Sequence, residues 1–205
     1  MRIASLSLAL LLAAAGAEAA EPTRQQIDEM TDAVVALLPM GRIMEDAAAA
    51  DPEWPVQGKA NAVTPEQLAC LRSELSMEGF RRFKRLDVVE HLSNDSRDFK
   101  SELQVLRQAA PLMSKIMMAG ADAAKRKTEL QPADLMRDAD ADQMMAMISL
   151  GRDPKFRNLR ELTGIGDAMS GESSGSENET TGQMIAMKAM FHGMKACGVS
   201  PGVLL

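Results

Sequence analysis

In the segments between Ile27 and Met194 that are not polar or Pro/Gly-rich, apolar residues recur every three or four positions, which is the period of an α-helix and not of a strand. No alternating, β-branched run long enough to build a sheet interrupts that pattern, and no internal repeat divides it. The fold class expected is therefore all-α: an irregular multi-helix bundle forming a single domain. Its punctuation is equally legible. Thr23 can cap a first helix carrying Ile27, Met30, Val34, Leu37 and Leu38, and Pro39 kinks or restarts it. Thr64-Pro65-Glu66-Gln67 sets a cap hydroxyl, a proline at the first helical position and a glutamine three residues after the cap. Leu68, Leu71 and Leu75 follow on the core side. Gly79 weakens the helix before Phe80, Phe83, Leu86, Val89 and Leu92, a run whose spacing of three makes its stripe drift.

Asn94-Asp95-Ser96 marks a break, and a long helix kinked near Pro111 follows through Phe99, Leu103, Leu106, Met113 and Met117. Pro132 opens another helix reaching Gly151, and Asp153-Pro154 starts a short one stopped by Gly164. Residues 170–182 (SGESSGSENETTG) read as a flexible loop, with Thr180 or Thr181 capping a last helix from Met184 to Ala196.

The first 19 residues read as a secretory signal peptide. Arg2 supplies the charged end, Leu6 to Ala15 a short apolar core, and Ala17-Glu18-Ala19 a small-x-small cleavage site. Cleavage is expected after Ala19, which makes 20–205 one helical domain exported to the periplasm of a Gram-negative cell. The apolar run is too short to span a bilayer comfortably, so no stable membrane insertion is expected. Export also bears on Cys70 and Cys197, the two cysteines of the chain. In an oxidising compartment they are expected to form a disulfide tying the C-terminal helix to an early one. A loop of that order is worth about 4 to 5 kcal/mol in the chain-entropy account.

Composition narrows the function. The formal net charge of -6 argues against a general nucleic-acid binder, and 3% aromatic residues leave little for stacking sugars. No metalloprotease motif, nucleophile elbow, phosphate loop or dinucleotide fingerprint occurs, so no enzyme and no cofactor is expected. A carboxylate-dependent hydrolase stays open as an alternative, because such pairs assemble only in space. Asp138, Asp140 and Asp142 suggest a calcium loop, but Gln143 stands where glycine is needed and Ser149 where the bidentate glutamate belongs.

Two segments carry the binding hypotheses. Phe80, Arg81, Arg82, Phe83, Lys84 and Arg85 form the densest basic cluster and are the candidate contact for a protein partner. Their alternative is a solvated helix face. In the last helix, Met187, Met190, Phe191, Met194 and Cys197 share an arc about 120° wide, with Met184 at its edge and Lys188, His192 and Lys195 opposite. Core packing is the first expectation for that stripe. A docking surface for a partner is the second, and a Cu(I) site on Met184, Met187, Met190 and Met194 the third, since thioethers are soft ligands. The reading that best fits all this is a non-catalytic periplasmic protein that binds another protein, as a toxin-neutralising immunity protein or an envelope chaperone or adaptor does.

Overall fold

The computed structural model describes residues 21–94, 98–129, 135–137, 139–166 and 175–203, with the backbone alone for 60 and 175–181. The proposed signal peptide lies outside these residues. Among them are eight α-helices and no strand: α1 (Arg24–Leu37), α2 (Met40–Ala50), α3 (Pro65–Glu74), α4 (Met77–Asn94), α5 (Phe99–Arg126), α6 (Ala141–Arg152), α7 (Arg157–Thr163) and α8 (Gly175–Ala196).

The helix starts follow the local chemistry of the sequence. Thr23 and Thr64 each accept a hydrogen bond from the backbone N–H of the third helical residue, Gln26 and Gln67, whose side chains accept from the cap N–H in return. Each reciprocal pair satisfies two donors that a helix start otherwise leaves to solvent. Asp140 caps α6 through the N–H of Asp142 at 2.7 Å. Two of the three aspartates that resembled a calcium loop are thereby absorbed in a helix start; Asp138 lies outside the described residues. Gly164, at φ 80°, stops α7 in a left-handed conformation that glycine adopts without strain.

The main core sits between α1, α4, α5 and α6, with α5 packed on α1 along one side and α6 along the other. Two partners explain why α5 buries so broad a face, including Leu103, Val105, Leu106, Ala109, Ala110, Leu112 and Met113. Pro111 lies within this helix, which runs unbroken through it for 28 residues. The expected helix around Gly79 is corrected. The chain breaks earlier, at Leu75-Ser76, and Gly79 falls in the first turns of α4. A Cβ at Gly79 would overlap the carbonyl oxygens of Ser73 and Glu74, so the glycine serves a tight helix–helix corner.

The drifting stripe of α4 is corrected too. Its buried line is Phe80, Lys84, Val88 and Leu92, a strict spacing of four, while Leu86 is exposed. A lysine can occupy that line because its ammonium is paired inside the protein, 2.9 Å from Asp87 and 3.2 Å from the Leu162 carbonyl.

A second, smaller core of Val56, Leu71, Met194 and Val199 lies under the C-terminal end of α8. The disulfide predicted between Cys70 and Cys197 closes over it, with Cα atoms 5.7 Å apart and a sequence separation of 127. Gln67 adds a hydrogen bond from Nε2 to the Gly198 carbonyl at 3.0 Å. The start of α3 is thus fastened to the end of α8. That helix begins at Gly175, upstream of both threonines expected to cap it, so the loop expected over 170–182 is helical from 175 onward. Residues 170–174 lie outside the described residues.

Candidate docking site

Helix α8 meets the body of the protein along one stripe, with Met194 buried beside it. Ile185, Ala189 and Gly193 point inward at a spacing of four. A Cβ on Gly193 would stand 3.3 Å from Cβ of Glu74 and 3.8 Å from Cδ2 of Leu71, so the glycine gives α8 room to lie close to α3. The rotation that turns the small face inward turns the large one outward. Met184, Met187 and Phe191 are 48, 51 and 47% exposed, and Lys188 and Lys195 are exposed beside them.

The core expectation for the methionine stripe is therefore corrected. Met194 alone of the expected stripe is fully buried, Met190 is half-buried, and Met184, Met187 and Phe191 face solvent. Hydrophobicity alone favours burying the large residues, whereas here Ala189 and Gly193 face the body of the protein where α8 approaches α3 closely. The four thioethers of the copper reading are likewise divided, with Met194 in the small core and Met184 and Met187 outside. Among the described residues no group of three His, Cys, Asp or Glu side chains is arranged to hold a metal ion.

Beside this face, α4, α7 and α8 enclose a cleft of about 730 Å³. Phe83, Leu162 and Phe191 give it apolar walls, and Glu90, Glu161 and Lys188 give it charged edges. Lys84 and His91 also line it, both anchored from below. His91 Nε2 lies 2.8 Å from Glu102 Oε2, with side chains only 8 and 5% exposed. An ionised Glu102 accepts from Nε2–H, and in a neutral ring Nδ1 is then the acceptor nitrogen. Phe83 packs on His192 of α8 at 5.0 Å between ring centroids, which joins the cleft to the small face of that helix.

The basic cluster does not form one contact surface. Phe80 is fully buried and Lys84 nearly so. Arg81 binds Asp32 at 2.7 Å, Arg82 binds Glu74 at 2.9 Å, and Arg85 binds Asp28 at 3.2 Å. Arg81 and Arg85 thereby tie α4 to α1. The hydrogen bond with Asp32 raises the Arg81 pKa above its ordinary value, so that cation is permanent. Of the six, Phe83 and Lys84 line the cleft. A second recess of about 800 Å³ lies between α1, α2, α4 and α5, floored by Ala33, Ala36, Pro39 and Pro111. Two arginines on its rim are taken up internally, Arg81 by Asp32 and Arg107 by Glu29 at 3.1 Å.

The His91–Glu102 pair escaped motif reading because eleven residues and a helix boundary separate the partners. No known protein-family model matches the chain, and no curated protein or solved structure is similar to it.

Proposed function

We propose that this chain is an exported, non-catalytic helical protein that binds another protein in the bacterial periplasm. The contact is the outer face of α8 together with the adjoining cleft. The observation that carries this reading is the triplet Met184, Met187 and Phe191, three large apolar side chains about half exposed on one helix face. Such residues adapt to a partner's shape, and a disulfide-fastened helix presents them at little entropic cost. An immunity-type inhibitor of a toxin suits the size and the missing catalytic motifs, and an envelope chaperone or adaptor would use the same surface. Among the described residues no helix is long and apolar enough to cross a membrane.

A photo-crosslinking residue placed at Met187 in cells expressing the full chain tests the reading. A discrete adduct with a second polypeptide is expected, with none from the exposed control position Gln25. No adduct from position 184, 187 or 188 would remove it.

Hydrolysis is the second reading, supported by His91, which lines the cleft and is hydrogen-bonded to the buried Glu102. A carboxylate that orients an imidazole is the arrangement that activates water or a hydroxyl. Turnover of ester or amide substrates that vanishes in His91→Ala and Glu102→Gln would establish it; turnover unchanged in both would exclude it. Copper binding by thioethers has less support, because Met184 and Met187 lie apart from Met194. Stoichiometric Cu(I) uptake, lost when Met187, Met190 and Met194 become leucine, would restore it.

A further inference from the structure

The recess between α1, α2, α4 and α5 has about 800 Å³ of space, within the size range of small-molecule sites. Its floor is apolar and built from small residues: Ala33 and Ala36 of α1, Ala110 and Pro111 of α5, and Pro39 from the turn into α2. The prolines add ring carbons to that floor and have no N–H to offer a ligand. Among the described residues no aromatic ring lines the recess, so its surface suits an aliphatic body more than a flat ring. The charged rim is largely taken up within the protein. Asp32 binds Arg81 at 2.7 Å, and Arg107 reaches Glu29 at 3.1 Å. Glu45 accepts from the Met77 N–H at 3.0 Å, and Glu78 lies 4.0 Å from Arg82. Arg42 is the exception. It is exposed, and among the described residues no carboxylate or other acceptor meets its guanidinium.

Arg42 stands in the first turn of α2, which has no acidic residue there and starts at Pro39 without a side-chain cap. A helix start carries partial positive charge, so a cation in the first turn adds to that field instead of balancing it. An anion at this edge of the recess relieves both. We infer that the recess binds an aliphatic monocarboxylate, with its acyl chain on the alanine–proline floor and its carboxylate on the Arg42 guanidinium. A carboxylate takes two parallel hydrogen bonds from that planar group. One unpaired cation matches one negative charge. A doubly charged head would face Asp32, Glu45 and Glu78 with no second unpaired cation on the rim to meet it. Seating the chain covers apolar floor that is otherwise wet, a gain that grows with the area removed from water. The recess shares no lining residue with the cleft beside α8, so this site stands apart from the docking proposal.

Isothermal titration of decanoate, decanol and decylammonium into the folded, disulfide-bonded protein, each below its micelle-forming concentration, tests the site. Wild type is expected to bind one decanoate per chain, roughly tenfold tighter than decanol, and to show no saturable binding of decylammonium. Arg42→Gln should bring decanoate down to the level of decanol and leave decanol binding unchanged. Its circular dichroism spectrum and thermal midpoint should match wild type, because the side chain is exposed and unpaired. Ala36→Phe, at an exposed position of the floor, should abolish binding of both ligands by filling the bed. Met187→Ser should change neither. Absence of saturable decanoate binding by wild type would overturn the inference, as would decanoate affinity unchanged in Arg42→Gln. Decylammonium binding as tight as decanoate would overturn the charge assignment and with it the inference. Loss of decanoate binding in Met187→Ser and not in Ala36→Phe would overturn it by placing the ligand on α8.

Discussion

Helices α5 and α8 solve the same packing problem in opposite ways. Helix α5 is held between α1 and α6 and buries its large residues, Leu103, Leu106, Leu112 and Met113 among them. Helix α8 approaches α3 and α4 with Ile185, Ala189 and Gly193 inward, and leaves Met184, Met187 and Phe191 outside. The first arrangement removes large side chains from water and needs no covalent help. The second gains close backbone contact at the expense of apolar burial, and it coincides with the Cys70–Cys197 disulfide and the Gln67–Gly198 hydrogen bond. The difference teaches where each helix gets its stability: α5 from side-chain packing, α8 from fastening plus a small core under its end.

The contrast predicts a graded set of responses. Phe80→Ala in the main core should cost about 3 to 5 kcal/mol, measured by chemical denaturation, because the cavity cannot collapse among fixed helices. A loss below 1 kcal/mol would mean that this core is looser than described. Replacing both Cys70 and Cys197 by serine should cost about 2 to 5 kcal/mol. Hydrogen exchange should then accelerate in α8 and α3 first while α1 and α5 remain protected. Uniform acceleration would show that the fastening serves the whole fold equally.

His91→Ala should cost about 3 kcal/mol, since it leaves the buried Glu102 carboxylate without its partner. Gly193→Val should cost about 1 to 3 kcal/mol by forcing α8 away from Glu74 and Leu71. Met187→Ser belongs at the other end of the scale, within about 0.5 kcal/mol of wild type, as a position about half exposed to solvent.

The smallest effect concerns a titration. Glu66, in the first turn of α3, has its pKa lowered by hydrogen bonding to its own backbone N–H and then to Thr64. A carboxyl lowered on folding favours the folded state above its unfolded pKa, and that contribution fades as pH falls through the folded value. Thr64→Val should therefore move the Glu66 titration upward, as read by carbon-detected NMR. An unmoved midpoint would assign the shift to the backbone alone.

Much of this fold was legible because its signals are local. The capping boxes at Thr23 and Thr64, the restart at Pro39 and the stop at Gly164 each depend on residues within four positions of one another. The disulfide was legible because two cysteines allow one intramolecular pairing. The rotation of α8 was not, because the close approach of Gly193 to α3 exists only in the fold, and hydrophobic periodicity assigns the larger residues to the core by default. For the same reason the periodicity assigned Leu86 to the core and kept Lys84 out of it. The lysine is buried only because Asp87 and a carbonyl from α7 meet its ammonium there. The cleft assembles side chains from three helices, and nothing in their spacing along the chain brings Phe83, Asn158 and Lys188 together.

Everything proposed for function depends on which face of α8 meets solvent. Brief oxidation of the folded, disulfide-bonded protein with dilute peroxide, read methionine by methionine by mass spectrometry, reports that face directly. Met184 and Met187 should convert to sulfoxide first, Met190 later, and Met194 only after unfolding. Conversion of Met194 at the rate of Met187, or protection of Met184 and Met187 in dilute solution, would contradict the account.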